Sequence, residues 1–242
     1  MSVINDEFLG ESYMTIKYYK PLFEKIQTYI PRSITPNTIT IVNFLLLVYF
    51  YNSDLYKNPK IFSLFLFIFW ILDGIDGVHA RATNQQSKLG EVLDHALDPV
   101  RNIIVIILLC KLFKIPDNYK HIILFLFILN NNFFHIVGKY TKKYIYGTKY
   151  FSADDASVAT ILLPLLTLIK LPKINNNIIY VFYTMVLFYT LYQIKLLKNY
   201  NVSKTDILIF LIVNYLSYLH TNNMTNLLLI NFLYPIYVIY NK

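Results

Sequence analysis

Four aspartates sit where two strongly apolar segments meet. Asp73, Asp76, Asp94 and Asp98 fall within ILDGIDGVHARATNQQSKLGEVLDHALDPV, residues 71–100, between PKIFSLFLFIFW and NIIVIILLC. Asp73 and Asp76 are three apart and share a helix face; Asp94 and Asp98 are four apart and share a face of the next helix. The intervening ARATNQQSKLGE is polar and suits a tight return, so the helices should run antiparallel with four carboxylates converging at one depth. Four like charges there repel one another, and each is costly to bury. Divalent cations remove both penalties, and a carboxylate cluster without a His₃ or cysteine set favours hard ions such as Mg²⁺ or Mn²⁺. One or two acids would be explained as solvated loop-edge groups paired with Arg81, Lys88 and Arg101. Four at these spacings across one hairpin are not.

The small residues carry the next step. Gly77 and Ala80 lie on or near the Asp76 face, and Gly90 precedes Asp94 by one turn, so the backbone is open to a bulky ligand beside the acids. Gly74 is explained equally well by close helix packing. Thr35 or Asn37 can cap the helix that follows Pro36, and Arg101, one turn after Asp98, can balance the acids. Bland readings cover the rest: His79 points away from the acids toward the interface, His121, His135 and His220 are polar tips near span ends, Trp70 packs, and Asp154 caps a helix.

The elements that must position these groups belong to a membrane protein. Of 242 residues, 56% are apolar and only 15% charged, against about 25% charged in soluble chains; mean hydropathy is +0.44. MSVINDEFLGESYM opens with acids and lacks an apolar core, so no cleavable signal is expected. Cys110 is the only cysteine, which excludes an intrachain disulfide and multi-cysteine zinc sites. Residues 13–30 read as an amphipathic helix in the membrane interface. Spans follow at roughly 38–52, 60–80, 92–112, 119–138, 154–171 and 176–197, with two shorter runs, 206–219 and 225–240, read as an additional hairpin. Residues 1–242 thus form a single all-α integral membrane domain, with a six-span core over 38–197 and the hairpin over 206–240. Loops on the N-terminal side carry thirteen lysines and arginines against seven on the other. The positive-inside bias therefore places both termini and the 81–91 turn on the cytosolic face. The net charge of +8 fits anionic lipid headgroups, and its dispersal through loops gives no support for nucleic-acid binding.

Written out, Asp73-x₂-Asp76-Gly77-x₂-Ala80-Arg81-x₈-Gly90-x₃-Asp94-x₃-Asp98 places eight fixed residues over 26 positions. It resembles the signature of the CDP-alcohol phosphotransferase family of membrane enzymes, and TPNTIT at 35–40 is similar to that family's entry into its first span. The resemblance covers about residues 13–197. DGIDGVHARAT and GEVLDHALD look like the choline/ethanolamine phosphotransferase branch, notably the Asp94-His95 pair. HIVGKYTKKYIYGTKYFSADDASVA is similar to that branch's loop into the fifth span. There Asp155 stands where glutamate is usual, Ala96 replaces a glycine, and eight spans compare with the branch's usual ten.

The resemblance implies a reaction. Two Mg²⁺ or Mn²⁺ ions held by Asp73, Asp76, Asp94 and Asp98 receive the pyrophosphate of a CDP-alcohol, and CMP is the leaving group. The acceptor is the hydroxyl of diacylglycerol, and its base is either Asp98 or His95, the latter held by Asp155. Asn37, Gly77, Ala80, Arg81, Lys88 and Gly90 fall to the nucleotide and its phosphates. Homodimers and an endomembrane location belong to the same implication. The competing reading within the chemistry has CDP-diacylglycerol donating to inositol or glycerol phosphate. A reading of another class makes the chain a divalent-cation transporter or a non-catalytic scaffold. A transporter would want its acids at mid-bilayer on broken helices, whereas here they fall at helix ends.

Overall fold

A computed structural model describes residues 11–141, 150, 152–169, 197 and 200–241. The expected sixth span, 176–197, lies outside the described residues apart from Leu197, as does the lysine-rich 142–149 stretch. The described residues are helical throughout, without strands. We number the helices α1 (Lys20–Gln27), α2 (Pro36–Asn52), α3 (Pro59–Thr83), α4 (Lys88–Leu112), α5 (Asp117–Thr141), α6 (Ala153–Leu162), α7 (Lys204–Leu219) and α8 (Met224–Tyr240). Within α3 and α5, residues 59–83 and 119–140 are long and apolar enough to cross a membrane. On α2, Ile41, Val42, Leu45 and Tyr49 are exposed, as are Leu208, Leu211, Ile212 and Tyr215 on α7, an apolar exterior that suits lipid. This is the all-α, polytopic membrane architecture that the hydropathy pattern predicts.

Local chemistry sets the helix ends nearest the acids. Thr35 caps α2, its Oγ1 accepting from Thr38 N at 3.2 Å, with Pro36 at the first helical position. Asn84 closes α3 in the left-handed region (φ 54°), and the Gln85 amide reaches back to Ala80 O at 2.9 Å. Ser87 then caps α4 through Gly90 N at 3.0 Å. The return between α3 and α4 is therefore tight and leaves no slack between the two acid pairs.

Two packing units hold this hairpin. Leu47 and Phe50 of α2, Phe62, Leu66 and Phe69 of α3 and Val100, Ile104 and Leu108 of α4 form one buried cluster. Leu129 and Phe133 of α5, Phe210 of α7 and Tyr234 and Val238 of α8 form another. At its end, Asp206 accepts from Lys139 Nζ (2.9 Å), Tyr237 Oη (3.2 Å) and Tyr140 Oη, tying α5, α7 and α8 together. α8 packs extensively on α4 and braces it from outside.

Several expectations need correction. The amphipathic lead is not one regular helix: Thr15–Tyr19 form a π-turn before α1. Pro21 explains it, since its ring cannot fit over a normal α-turn carbonyl and it has no N–H to donate. This lead also packs on protein: Phe23 lies against Gly74, where any side chain would collide with its ring, and Tyr19 and Phe23 meet the edge of Trp70. Gly74 is thus a packing glycine. The fourth-to-fifth-span region differs too. α6 ends at Leu162 and continues as a 3₁₀ turn over Leu163–Leu168, because Pro164 removes an α-type hydrogen bond at that point.

Candidate active site

α3 presents Asp73 and Asp76 to α4, which presents Asp94 and Asp98. Their surroundings differ sharply. Asp76 is 6% exposed and accepts from Thr40 Oγ1 at 2.6 Å and from the Gly77 amide at 2.6 Å. Asp73 and Asp98 are both paired with Arg101: Nη1 lies 2.9 Å from Asp98 Oδ1 and contacts Asp73 Oδ1. Ligand-type atoms of Asp94, His95 and Asp98 lie within 4.8 Å of one another. Among the described residues this group offers two carboxylate oxygens and an imidazole nitrogen, with Asp73 and Asp76 outside it, and oxygen-rich donors on rigid helices suit Mg²⁺ or Mn²⁺. The residues present therefore fit a divalent ion.

Beside the acids opens a cavity of about 550 Å³, lined by Asp76, Asp94 and His95 and by the α2, α3 and α4 ends. Asn37, Gly77, Ala80, Arg81, Lys88 and Gly90 all line it. Thr35 caps α2, which leaves Asn37 unneeded for that task. Asn37 instead turns its Oδ1 toward Gly90, where an added Cβ would stand 2.9 Å from that oxygen. Gly90 thus lets the start of α2 and the start of α4 approach each other over the cavity. Gly77 meets only the Arg81 guanidinium near the space a side chain would occupy. Lys88 has its Nζ 5.0 Å above the Tyr240 ring, so the end of α8 reaches the cavity mouth.

Other expected residues fall elsewhere. Asp155 completes a capping box at the start of α6: it accepts from Ser152 N (2.8 Å) and Ser152 Oγ (3.0 Å), and from Tyr19 Oη (3.3 Å). That is a capping role. It is also Asp155 rather than Asp154 that caps. Asp154 accepts from Thr15 Oγ1 at 3.1 Å and joins α6 to the N-terminal lead. Replacing Asp155 with alanine should lower thermal stability by about 1 kcal/mol, the usual worth of a cap, and change turnover less than about threefold, as befits a site away from the chemistry. Turnover falling as far as it does on loss of His95 would restore Asp155 to the site.

Two histidines were misplaced by the sequence reading. His79 is fully buried, with Nε2 2.8 Å from Ile34 O and Nδ1 3.3 Å from Gln27 Nε2. A carbonyl can only accept, so Nε2 carries the proton and Nδ1 accepts from the glutamine; the neutral ring clamps α3 to the turn before α2. His135 is 2% exposed and meets the His95 ring edge-on at 5.8 Å. Position near a span end could not reveal that inward aim. Thr40, too, carried no signal of its own until α2 was seen beside Asp76.

The chain is 28% identical to choline/ethanolaminephosphotransferase 1 of Saccharomyces cerevisiae over 165 residues, 63% of this chain and 41% of that one. It is 27% identical to cholinephosphotransferase 1 of the same yeast over 122 residues, 46% of this chain and 31% of the relative. It is 32% identical to Homo sapiens ethanolaminephosphotransferase 1 over 95 residues, 32% of this chain and 24% of the relative. The matched stretch spans less than half the length of each of these relatives. Residues 33–189, which include α2, the acidic hairpin and α6, match the CDP-alcohol phosphatidyltransferase profile. By that match, the chain belongs to the CDP-alcohol phosphatidyltransferase family.

Proposed function

We propose that this protein transfers phosphocholine or phosphoethanolamine from the CDP-alcohol to the hydroxyl of diacylglycerol, releasing CMP, at a site held by Asp73, Asp76, Asp94 and Asp98. The observation that carries it is the polar cavity ending on Asp76, Asp94 and His95 at the ends of apolar helices. The resemblance of the Asp94-His95 pair and the names of the matched relatives support the choice of headgroup. The lysine bias supports a cytosolic opening.

Two Mg²⁺ or Mn²⁺ ions held by the four aspartates would neutralise the donor pyrophosphate and the departing CMP. The protein's own groups do the rest. Asn37 and the open backbone at Gly77 and Gly90 admit the nucleotide. Arg81 and Lys88, on the cavity wall, pair with phosphate oxygens as bidentate and point charges. The Thr40 hydroxyl holds Asp76 in one rotamer, so that carboxylate need not reorganise during reaction. The acceptor oxygen forms a bond to the phosphorus bearing the choline or ethanolamine. The bond from that phosphorus to the bridging oxygen breaks, and CMP leaves with the electron pair.

The acceptor proton passes to an imidazole nitrogen of His95. Of the two candidate bases, Asp98 would be a cation ligand, and a carboxylate held by cations is a poor proton acceptor. His95 lines the cavity beside Asp94, and hard cations favour the carboxylates over its ring, which leaves the imidazole for the proton.

The test measures CMP from purified protein with Mg²⁺ or Mn²⁺. CDP-choline or CDP-ethanolamine plus diacylglycerol should release it. Release only with CDP-diacylglycerol plus inositol or glycerol phosphate would overturn the substrate assignment, and none with either pair would overturn the enzymatic reading.

A further inference from the structure

Arg101 is an unusual neighbour for a set of residues that would hold cations. It sits on α4 one turn beyond Asp98, its side chain only 14% exposed, and its guanidinium bridges Asp73 of α3 to Asp98 of α4. A bridging cation between two carboxylates is what a divalent ion would also be at that edge of the cluster. A guanidinium and a divalent ion cannot share the same carboxylate oxygens, and a positive charge held this close repels a second one.

The surroundings of Arg101 give it a second resting place. Next to it, a cleft of about 60 Å³, whose lining shares no residue with the larger cavity, opens between α3, α4 and α6. Asn102, Ser157 and Thr160 contribute polar groups to its wall, and Phe69, Trp70 and Val105 contribute apolar ones. The Nε of Arg101 already donates to Asn102 Oδ1 at 3.3 Å, and its guanidinium carbon lies 5.3 Å from the Phe69 ring centre. Hydroxyl and amide oxygens and an aromatic face are the partners a buried guanidinium accepts once it leaves a carboxylate. Asp73 and Arg101 both line this cleft, so the movement needs only side-chain rotation.

We propose that Arg101 is a displaceable counter-cation: its guanidinium bridges Asp73 and Asp98, and a divalent ion bound to those carboxylates would drive it into the α3–α4–α6 cleft. This rests on the metal-site part of the proposed function and extends it to the positive charge an ion must displace there. The arginine neutralises part of the cluster's charge before any ion arrives, and each ion must compete with it.

The experiment titrates Mn²⁺ into the purified full chain without nucleotide or lipid substrate, reading free Mn²⁺ by electron paramagnetic resonance. Wild type should bind Mn²⁺. R101Q should bind it at least about tenfold more tightly, about 1.4 kcal/mol, and should gain more thermal stability from the ion, because its metal-free form lacks the bridge. A residue that only supported the fold would shift affinity the other way. S157F fills the cleft while leaving every carboxylate and the arginine in place. It should weaken binding, since the guanidinium loses its alternative position. Unchanged or weaker binding by R101Q overturns the proposal. Tighter binding by R101Q with unchanged binding by S157F also overturns it, leaving only charge repulsion. If R101Q does not accumulate, S157F decides alone, and unchanged affinity is the overturning result. No Mn²⁺ bound by wild type would instead refute the metal site itself.

Discussion

Asp98→Asn should cut CMP release by on the order of 10³-fold, with the protein still extracted and helical. Asparagine keeps the shape of aspartate and loses its charge. Two interactions fail together: a carboxylate ligand is lost from the Asp94–His95–Asp98 group, and Arg101 is left with Asp73 alone. Charge stabilisation at such a centre is worth several kcal/mol in the transition state, and roughly 4 kcal/mol corresponds to about three orders of magnitude. The hydrophobic core that includes Val100, Ile104 and Leu108 is held by apolar packing, which the isosteric change leaves in place, so circular dichroism should be unchanged. Asp94→Asn should behave alike. Near-normal turnover in either variant would refute the aspartate site.

His95→Ala should lower the maximal rate by about 10²- to 10³-fold, within the usual range for loss of a general base. The Michaelis constant for the CDP-alcohol should move little, because the phosphate partners Arg81 and Lys88 and the open backbone at Gly90 remain. The rise of rate with pH that accompanies deprotonation of a base should flatten as well. A loss below about fivefold, short of what a base supplies, would return the proton to Asp98. His135→Phe gives a useful contrast: it keeps an aromatic ring against His95 but removes any polar contribution from that side.

What the sequence disclosed, it disclosed through spacing. The i,i+3 and i,i+4 acids, the polar return and the apolar flanks specified an antiparallel hairpin because helix periodicity depends only on the chain's own order. Gly77, Ala80 and Gly90 were readable for the same reason, lying within a turn or so of the acids or of the hairpin's return. The partners that arrive from elsewhere in the chain were not. Thr40 comes 36 residues before Asp76, and its hydroxyl looks like any other threonine in an apolar helix until α2 is packed on α3. His79 is expected to face the interface and His135 to be a polar tip near a span end, yet both are buried. The capping box that Asp155 forms with Ser152 is likewise something only backbone geometry reveals. The π-turn before Pro21 and the 3₁₀ turn at Pro164 were foreshadowed by their prolines, but a proline says that a regular turn fails and not which irregular one replaces it.

The shortness of the return between α3 and α4 has a consequence for biosynthesis. Every carboxylate of the cluster, and the arginine that bridges two of them, lies between Asp73 and Arg101 on one hairpin. Charged side chains resist entry into a bilayer when presented singly, and translocon measurements put Asp or Arg at a helix centre at about 2.5 to 3.5 kcal/mol each. Here the opposite charges can meet as soon as the second helix follows the first, without waiting for later spans. The hairpin can therefore enter the membrane with Asp73 and Asp98 already paired to Arg101, so that part of its polar cost is met early during synthesis.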